Sequence, residues 1–182
     1  MEDKALKILA FEYLIDGFVK WHQQVRPKVS VESTFTKLKL IKLLFFVSAV
    51  DSERPSKGLL DIFHKFSALP FGHVESDVYD FLRLCSKYSV SKEGLSYNVV
   101  NDNYFDAINP YKERLNEAIE ALKNKNLELV AYSASSLVEL SHQWYSWKST
   151  FALARSMNKY SLPIKTDTIR NESKIFRLND AL

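Results

Sequence analysis

The side chains that most often bind metal ions are few and scattered in this sequence. Histidine occurs four times and cysteine once. Structural metal sites draw their ligands in close pairs, because two ligands on one turn or loop fix the geometry. No CxxC, HxxxH or HExxH spacing occurs among the five candidates, which are His22, His64, His73, Cys85 and His142. The sequence therefore predicts no metal site and no cofactor.

Nucleophilic catalysis finds no support either. Cys85 lies on the apolar stripe of a predicted helix, where we expect a buried, inert thiol. Ser141 and His142 are adjacent, and neighbouring helical residues point about 100° apart, so this imidazole cannot act as the base for that hydroxyl. Glu75 and Asp77 fit the start of a helix, where carboxylates favour the exposed N–H groups. Only four glycines occur, which disfavours dinucleotide and P-loop enzymes. We expect no enzymatic activity.

The composition favours a single domain over residues 1–182. The chain has 182 residues and a mass of 21.1 kDa, with 46% apolar and 13% aromatic residues, enough for a core without disulfides. The formal net charge is +3 and is spread along the chain, which makes nucleic acid an unfavoured partner. One cysteine fits a reducing compartment, and no signal peptide or membrane span is visible. We therefore expect a cytoplasmic protein that is not bound to a membrane.

Apolar periodicity predicts a mainly α, compact multi-helix fold. Stripes at helical spacing favour helices over residues 6–21, 35–50, 59–66, 74–85, 109–122, 150–160 and 166–176. The pattern changes to a period of two on either side of Gly94, which stands where a positive φ is needed. This predicts one short β-hairpin near residues 88–100, the only strand pair that we expect.

The segment 129–147 is predicted to be the central helix. Glu139 is its only formally charged residue at neutral pH, and apolar or small residues occupy nearly every face. A helix of this composition packs against neighbours on several sides.

Two short stretches combine histidine with large aromatic residues. Residues 66–74 (FSALPFGHV) are predicted to join two helices, and residues 140–147 (LSHQWYSW) to end the central helix. One interpretation is core packing with the polar edges bonded to the backbone. The other is a binding surface, because Trp, Tyr and Arg dominate interface hot spots. We expect His73 to be more exposed than either tryptophan of the second stretch.

The same stretches resemble a protein family. Residues 40–46 (LIKLLFF) are similar to an L-x-K-L-L-Y-F helix, residues 66–79 to an F-x-A-x-x-Y-G-P-V…Y junction, and residues 140–147 to L-[ST]-H…W. These motifs occur in this order in the SocA-like antitoxin domain, also called the Panacea domain. The resemblance covers roughly residues 36–150, and an extension to 176 is left open. His73 stands where the family usually has Pro, which indicates either a less rigid junction or a polar contact.

The resemblance implies a helical domain that neutralises a genetically linked toxin by protein–protein binding, as the antitoxin of a type II toxin–antitoxin pair. Its partner would be the cognate protein toxin, and handing that toxin to an AAA+ protease is a variant of this function. A homodimer is left open. The alternatives are a transcription-associated DNA-binding protein, a phage or prophage accessory protein, and a hydrolase whose site no motif marks.

Eight residues of the three motifs are candidates for partner binding. They are Lys42, Phe71, Gly72, His73, Tyr79, His142, Trp144 and Trp147. We expect the junction 71–73 and the helix end 144–147 to contribute to one toxin-binding surface.

Overall fold

The computed structural model describes residues 3–54 and 57–178, and these form the predicted mainly α fold. The α-helices are α1 (Lys4–Val25), α2 (Val31–Thr34), α3 (Lys37–Ala49), α4 (Ser76–Phe81), α5 (Asn109–Lys125), α6 (Ala134–His142), α7 (Tyr145–Ser156) and α8 (Thr166–Asn171). The strands are β1 (Phe66–Leu69), β2 (Gly72–Glu75), β3 (Tyr88–Val90), β4 (Leu95–Tyr97) and β5 (Leu162–Pro163).

The central helix of the fold is α3. The Oγ1 of Thr36 caps its first turn by accepting a hydrogen bond from the Lys39 amide at 3.4 Å. Every residue from 39 to 49 is buried, and the helix packs against β2, α5 and α6. A helix that is hydrophobic on all sides needs such surroundings. The central position was expected of the segment 129–147, and that prediction is wrong.

The segment 129–147 is not one continuous helix. It consists of a 3-10 turn at Leu129–Ala131, then α6, then the first turn of α7. Ser133 caps α6, and its hydroxyl accepts a backbone hydrogen bond at 3.0 Å. Between α6 and α7 the backbone is extended at Trp144, whose buried indole donates to the Ile175 carbonyl oxygen at 2.9 Å. This hydrogen bond links the buried Trp144 side chain to the C-terminal segment at the point where the chain turns from α6 into α7.

A three-stranded antiparallel sheet, in the order β2–β1–β5, corrects two further predictions. Strands β1 and β2 form a hairpin with Ala68 opposite His73, and β5 pairs with the other edge of β1. Residues 59–63 form turns and bends rather than a helix, and the junction 66–74 lies in the hairpin rather than between helices. The hairpin near residues 88–100 is therefore not the only strand pair.

Strands β3 and β4 form the hairpin that the sequence predicts. Tyr88 lies opposite Tyr97, and Gly94 in the connection has the expected positive φ, at +153°. A Cβ at Gly94 would collide with the carbonyl oxygen of Glu32 in α2. Glycine is required there by the backbone conformation and by the close approach of α2.

The remaining helices agree with the sequence to different degrees. The predicted bounds of α1, α3 and α5 are close to the observed ones. Because β2 occupies residues 72–75, the helix expected over 74–85 begins at Ser76 and continues as a 3-10 turn at Leu82–Leu84. The helices expected over 150–160 and 166–176 correspond to α7 and the shorter α8. In the described part of the chain, no helix has the length and apolar character that crossing a membrane requires.

Candidate functional site

The three motif segments meet in one place. Helix α3 brings Lys42, the β1–β2 hairpin brings His73, and the end of α6 brings Ser141. The Nζ of Lys42 donates a hydrogen bond to the His73 carbonyl oxygen at 2.6 Å. The Nε1 of Trp147, in α7, donates to the Leu69 carbonyl oxygen of β1 at 2.8 Å. Tertiary packing thus joins segments that are far apart in the sequence.

His73 is fully buried at the centre of this contact, so the exposure that we expected for it is wrong. Its Nδ1 lies 2.8 Å from Ser141 Oγ, its Nε2 lies 2.8 Å from Ser146 Oγ, and its ring stacks on Phe45 with centroids 3.6 Å apart. Burial holds the pKa of His73 well below its ordinary value. A neutral imidazole has one donor and one acceptor nitrogen, and the two serine hydroxyls satisfy both.

Lys42 and Gly72 complete the same arrangement. Lys42 is fully buried, and the loss of hydration lowers the pKa of its ammonium group to about 7. Gly72 has a φ of +95°, and a Cβ there would collide with Ser141 Oγ and lie 2.9 Å from Lys42 Nζ. Glycine is therefore the residue that fits. We call Lys42, Gly72, His73, Ser141 and Ser146 the motif cluster.

His73, at the position where the pattern that this chain resembles usually has proline, has a structural role. The His73 amide donates to Ser141 Oγ at 3.2 Å, in addition to the contact made by the ring. Proline has no N–H and could not form this bond. Of the two outcomes left open by the sequence, a less rigid junction or a polar contact, the structure has the polar contact.

Trp147 lies in a stack of aromatic rings beside the hairpin. Its ring is between those of His142 and Phe151, at centroid distances of 3.8 Å and 4.9 Å, and all three side chains are half-buried. Burial, followed by the charge of Lys42, lowers the pKa of His142. Ser141 instead contacts His73, so the adjacent Ser141 and His142 face different neighbours, as the helical spacing predicted.

The eight candidate residues differ in their exposure. Buried are Lys42, Gly72, His73 and Trp144; half-buried are His142 and Trp147; exposed are Phe71 and Tyr79. Residues 71–73 of the hairpin and the segment 144–147 lie together, through His73 and Ser146, and a shared toxin-binding surface stays a prediction. Phe71, which is 62% exposed, and not His73, is the member of that hairpin that a partner could reach.

The motif cluster holds residue types that nucleophilic sites use: a hydroxyl, an imidazole and an amine. Lys42, His73 and Ser141 are each fully buried, however, and both imidazole nitrogens already have serine partners. A substrate has no path to the hydroxyl in this conformation. The arrangement is suited to holding α3, the hairpin and α6 together.

A second buried polar network connects α1 to β2 and α4, and sequence reasoning missed it. The Nζ of Lys7 donates to Glu75 at 2.8 Å and to Asp77 at 2.7 Å. Glu75 also accepts a hydrogen bond from the Val78 amide at 2.8 Å, which confirms it as a helix-start carboxylate. Burial opposes the ionisation of Asp77, but hydrogen bonds from Lys7 and Lys65 outweigh it and lower the pKa of this carboxyl.

Glu12 organises a third network, between α1 and the start of β3. Its fully buried carboxylate accepts hydrogen bonds from the Lys87 amide at 2.9 Å, from the Tyr88 amide at 3.1 Å and from the Tyr104 hydroxyl. Burial nevertheless raises the pKa of Glu12. Asp16, one turn later, pairs with Lys87 Nζ at 2.6 Å. No sequence signal distinguishes these residues from a solvated polar face, since only the neighbouring elements bury them.

Other features offer less for ligand chemistry. A groove of about 730 Å³ lies beside α5 and contains no residue of the motif cluster. Ion pairs such as Lys57–Glu117, at 2.7 Å, occupy charged side chains that line it. Cys85 is half-buried rather than buried as the sequence predicts, and this partial burial raises the pKa of its thiol to about 12. Within residues 3–54 and 57–178, no group of three or more His, Cys, Asp or Glu side chains is placed to hold a metal ion.

Comparison with protein-family models, with curated proteins and with solved structures gives no match for this chain. The likeness to the SocA-like antitoxin domain therefore rests on the three motifs and remains a prediction.

Proposed function

We propose that this protein is an antitoxin that neutralises the product of a linked toxin gene by binding it. The observation that carries this proposal is the meeting of the three antitoxin-like segments. Lys42, His73 and Trp147, one from each segment, all make contacts that join two segments. Three unrelated short similarities would not be expected to converge on one place in a fold. Their convergence supports reading them together as one family pattern.

Binding, rather than catalysis, fits the side chains that reach solvent beside the cluster. The hydroxyl and imidazole groups of the motif cluster are buried and have no contact with solvent. Phe71 is exposed at the hairpin turn, two residues after the Leu69 carbonyl that Trp147 contacts. Exposed and half-buried aromatic rings are typical of interface hot spots. We call Phe71, His142, Trp147 and Phe151 the aromatic surface.

Co-expression with each flanking gene tests the proposal. We expect one flanking gene to arrest growth when expressed alone, and this protein to restore growth and to co-purify with that gene product. A shorter half-life of the toxin in the presence of this protein would indicate the protease-adaptor variant. If the wild-type protein protects against no flanking gene product, the proposal is wrong.

Phe71→Ser tests whether the aromatic surface makes the contact. Removal of a hot-spot side chain costs about 2 kcal/mol, or about thirtyfold in affinity. We therefore expect rescue to fail while the melting temperature is unchanged. Val99→Ser is the matched control, because Val99 is fully exposed just beyond β4 and outside the aromatic surface. Full rescue by folded Phe71→Ser would show that the partner binds elsewhere.

A further inference from the structure

One buried lysine in the described ranges has no acceptor for its ammonium group. Lys7 and Lys42 are also buried, but the first donates to two carboxylates and the second to a carbonyl oxygen. The Nζ of Lys39, a residue that is only 3% exposed, forms no hydrogen bond and no ion pair with the residues of these ranges. Buried charged groups are normally paired, because losing hydration without gaining hydrogen bonds is costly. Lys39 therefore departs from the rule that the other two follow.

The contact of Lys39 with an aromatic ring does not replace a hydrogen bond. Its Nζ lies over the ring of Phe35, 5.2 Å from the centroid. A ring face attracts a cation, but an ammonium group has three N–H donors to satisfy. Burial lowers the pKa of Lys39 to about 8, and no carboxylate in the part of the chain that the structure describes offsets this effect. The group is therefore still mostly protonated at neutral pH, and it attracts an anion.

His22 lies against the same phenylalanine and has an unsatisfied nitrogen of its own. Its ring meets that of Phe35 edge to face, with centroids 5.4 Å apart. His22 is 2% exposed, and its Nδ1 contacts neither solvent nor a hydrogen-bonding partner among the described residues. Burial, followed by the charge of Lys39, lowers the pKa of His22, so the two side chains lie close enough to interact. The end of α1 and the start of α3 thus bring two unsatisfied nitrogen groups to one ring.

We propose that a small oxyanion, such as phosphate, sulfate or a carboxylate, binds beside Phe35 and accepts hydrogen bonds from Lys39 Nζ and His22 Nδ1. We call His22, Phe35 and Lys39 the oxyanion site. The ion supplies the negative charge that Lys39 lacks, and its oxygens are acceptors for both nitrogens. Arg26 adds positive charge near His22, although its own partner is Glu128, at 2.6 Å. The inference does not depend on the proposed antitoxin function.

The position of the oxyanion site limits the size of its ligand. His22 and Lys39 are almost fully covered, so a nucleic acid or a partner helix cannot reach both nitrogens. The Arg26 amide donates to the His22 carbonyl oxygen at 2.7 Å, and residues 26–30, which begin there, are all exposed. The site is therefore close to the surface and within reach of ions in solution.

Thermal unfolding with inorganic phosphate tests the proposal. The melting temperature is measured at increasing phosphate concentration, with chloride keeping the ionic strength constant. We expect a saturable rise of at least about 2 °C by about 50 mM phosphate, because an ion that binds only the folded state stabilises it. Lys39→Met replaces the ammonium group by an apolar side chain of similar length and should abolish the rise. Lys92→Met is the matched control, because it removes the same charge at an exposed residue of the β3–β4 connection, and it should keep the rise.

Calorimetry measures the binding directly. Isothermal titration of the wild-type protein with phosphate should show one ion bound per chain, and Lys39→Met should show none. That variant should fold, because an apolar side chain in place of an unpaired buried cation removes a desolvation cost. His22→Phe keeps a ring against Phe35 but has no ring nitrogen, and it should bind phosphate at least about tenfold more weakly.

Sulfate and acetate identify the source of the oxyanion. A response to phosphate and sulfate alone would assign a tetrahedral ion, and an equal or greater response to acetate would assign a carboxylate; either result supports the proposal. If the wild type, Lys39→Met and Lys92→Met respond equally to phosphate, the effect is that of salt on any folded protein, and the proposal is wrong. It is also wrong if calorimetry detects no binding, or if folded His22→Phe binds as tightly as the wild type. Neither measurement uses a toxin, so this proposal and the antitoxin function can fail independently.

Discussion

The buried lysine of the motif cluster gives a prediction whose magnitude can be worked out. Burial lowers the pKa of Lys42 from 10.5 to about 7 in the folded protein, while the unfolded chain keeps the ordinary value. The unfolded state therefore binds more protons between these two pH values, and stability rises with pH there. At about 1.4 kcal/mol for each pH unit, the contribution of Lys42 to the free energy of unfolding changes by about 5 kcal/mol in all. This stability is fully present above pH 10.5, falls progressively as the pH is lowered, and is lost below about pH 7.

Lys42→Met removes this effect while keeping an unbranched side chain of similar length. At about pH 7 the variant loses the hydrogen bond to the His73 carbonyl, which costs about 1–3 kcal/mol, but it also avoids burying an amine that tends to be charged. We therefore expect it to fold. The wild-type free energy of unfolding minus that of the variant should rise by about 2.5 kcal/mol between about pH 7.5 and about pH 9.5.

Urea denaturation of both proteins across this pH range measures the difference. Other titrating groups, such as Cys85 and Lys39, are present in both proteins and largely cancel. Lys92→Met is the matched control, because Lys92 is exposed. The free energy of unfolding of the wild type minus that of this variant should not change across the pH range. A flat difference for Lys42→Met as well would show that Lys42 remains protonated in the folded protein, and the argument from burial would be refuted.

Three further predictions concern the Lys7–Glu75 ion pair, the backbone at Gly72 and the Cys85 thiol. Lys7→Met leaves the buried carboxylate of Glu75 without its cation and should lower the free energy of unfolding by about 3 kcal/mol in urea; an unchanged value would contradict the importance of that pair. Gly72→Ala should lower the free energy of unfolding by about 1–3 kcal/mol, because φ is +95° and the new Cβ would collide with Ser141 Oγ. A melting temperature equal to that of the wild type would refute this prediction. The Cys85 thiol should resist iodoacetamide at about pH 8 until the protein unfolds, since its pKa is about 12, and rapid labelling of the native protein, detected by mass spectrometry, would be the contrary result.

Long regular elements could be predicted because their signals are local. The apolar stripes of α1 and α3 continue for several turns within each helix. The β3–β4 hairpin has its own turn residue in Gly94. Such patterns need no information from distant parts of the chain.

Short elements could not be predicted, because distant segments decide them. Strand β1 has only four residues, and alternation over so few positions does not separate a strand from a helical turn. Its identity comes from pairing with β2 on one edge and with β5, far along the chain, on the other. At the break between α6 and α7, the Trp144 indole likewise contacts a distant part of the chain, the Ile175 carbonyl oxygen.

The sequence by itself determined the mainly α fold, the long helices, the β3–β4 hairpin and the three motifs that carry the antitoxin prediction. Only the tertiary structure decided which polar residues lie inside. Lys7, Glu12, Lys42 and His73 are residue types that are usually exposed or half-exposed, and each becomes buried because partners from other elements satisfy its hydrogen bonds. Burial is a property of the assembled neighbours and not of the residue. For this reason the sequence predicted an exposed His73, whereas packing places it in the core and leaves Phe71 exposed.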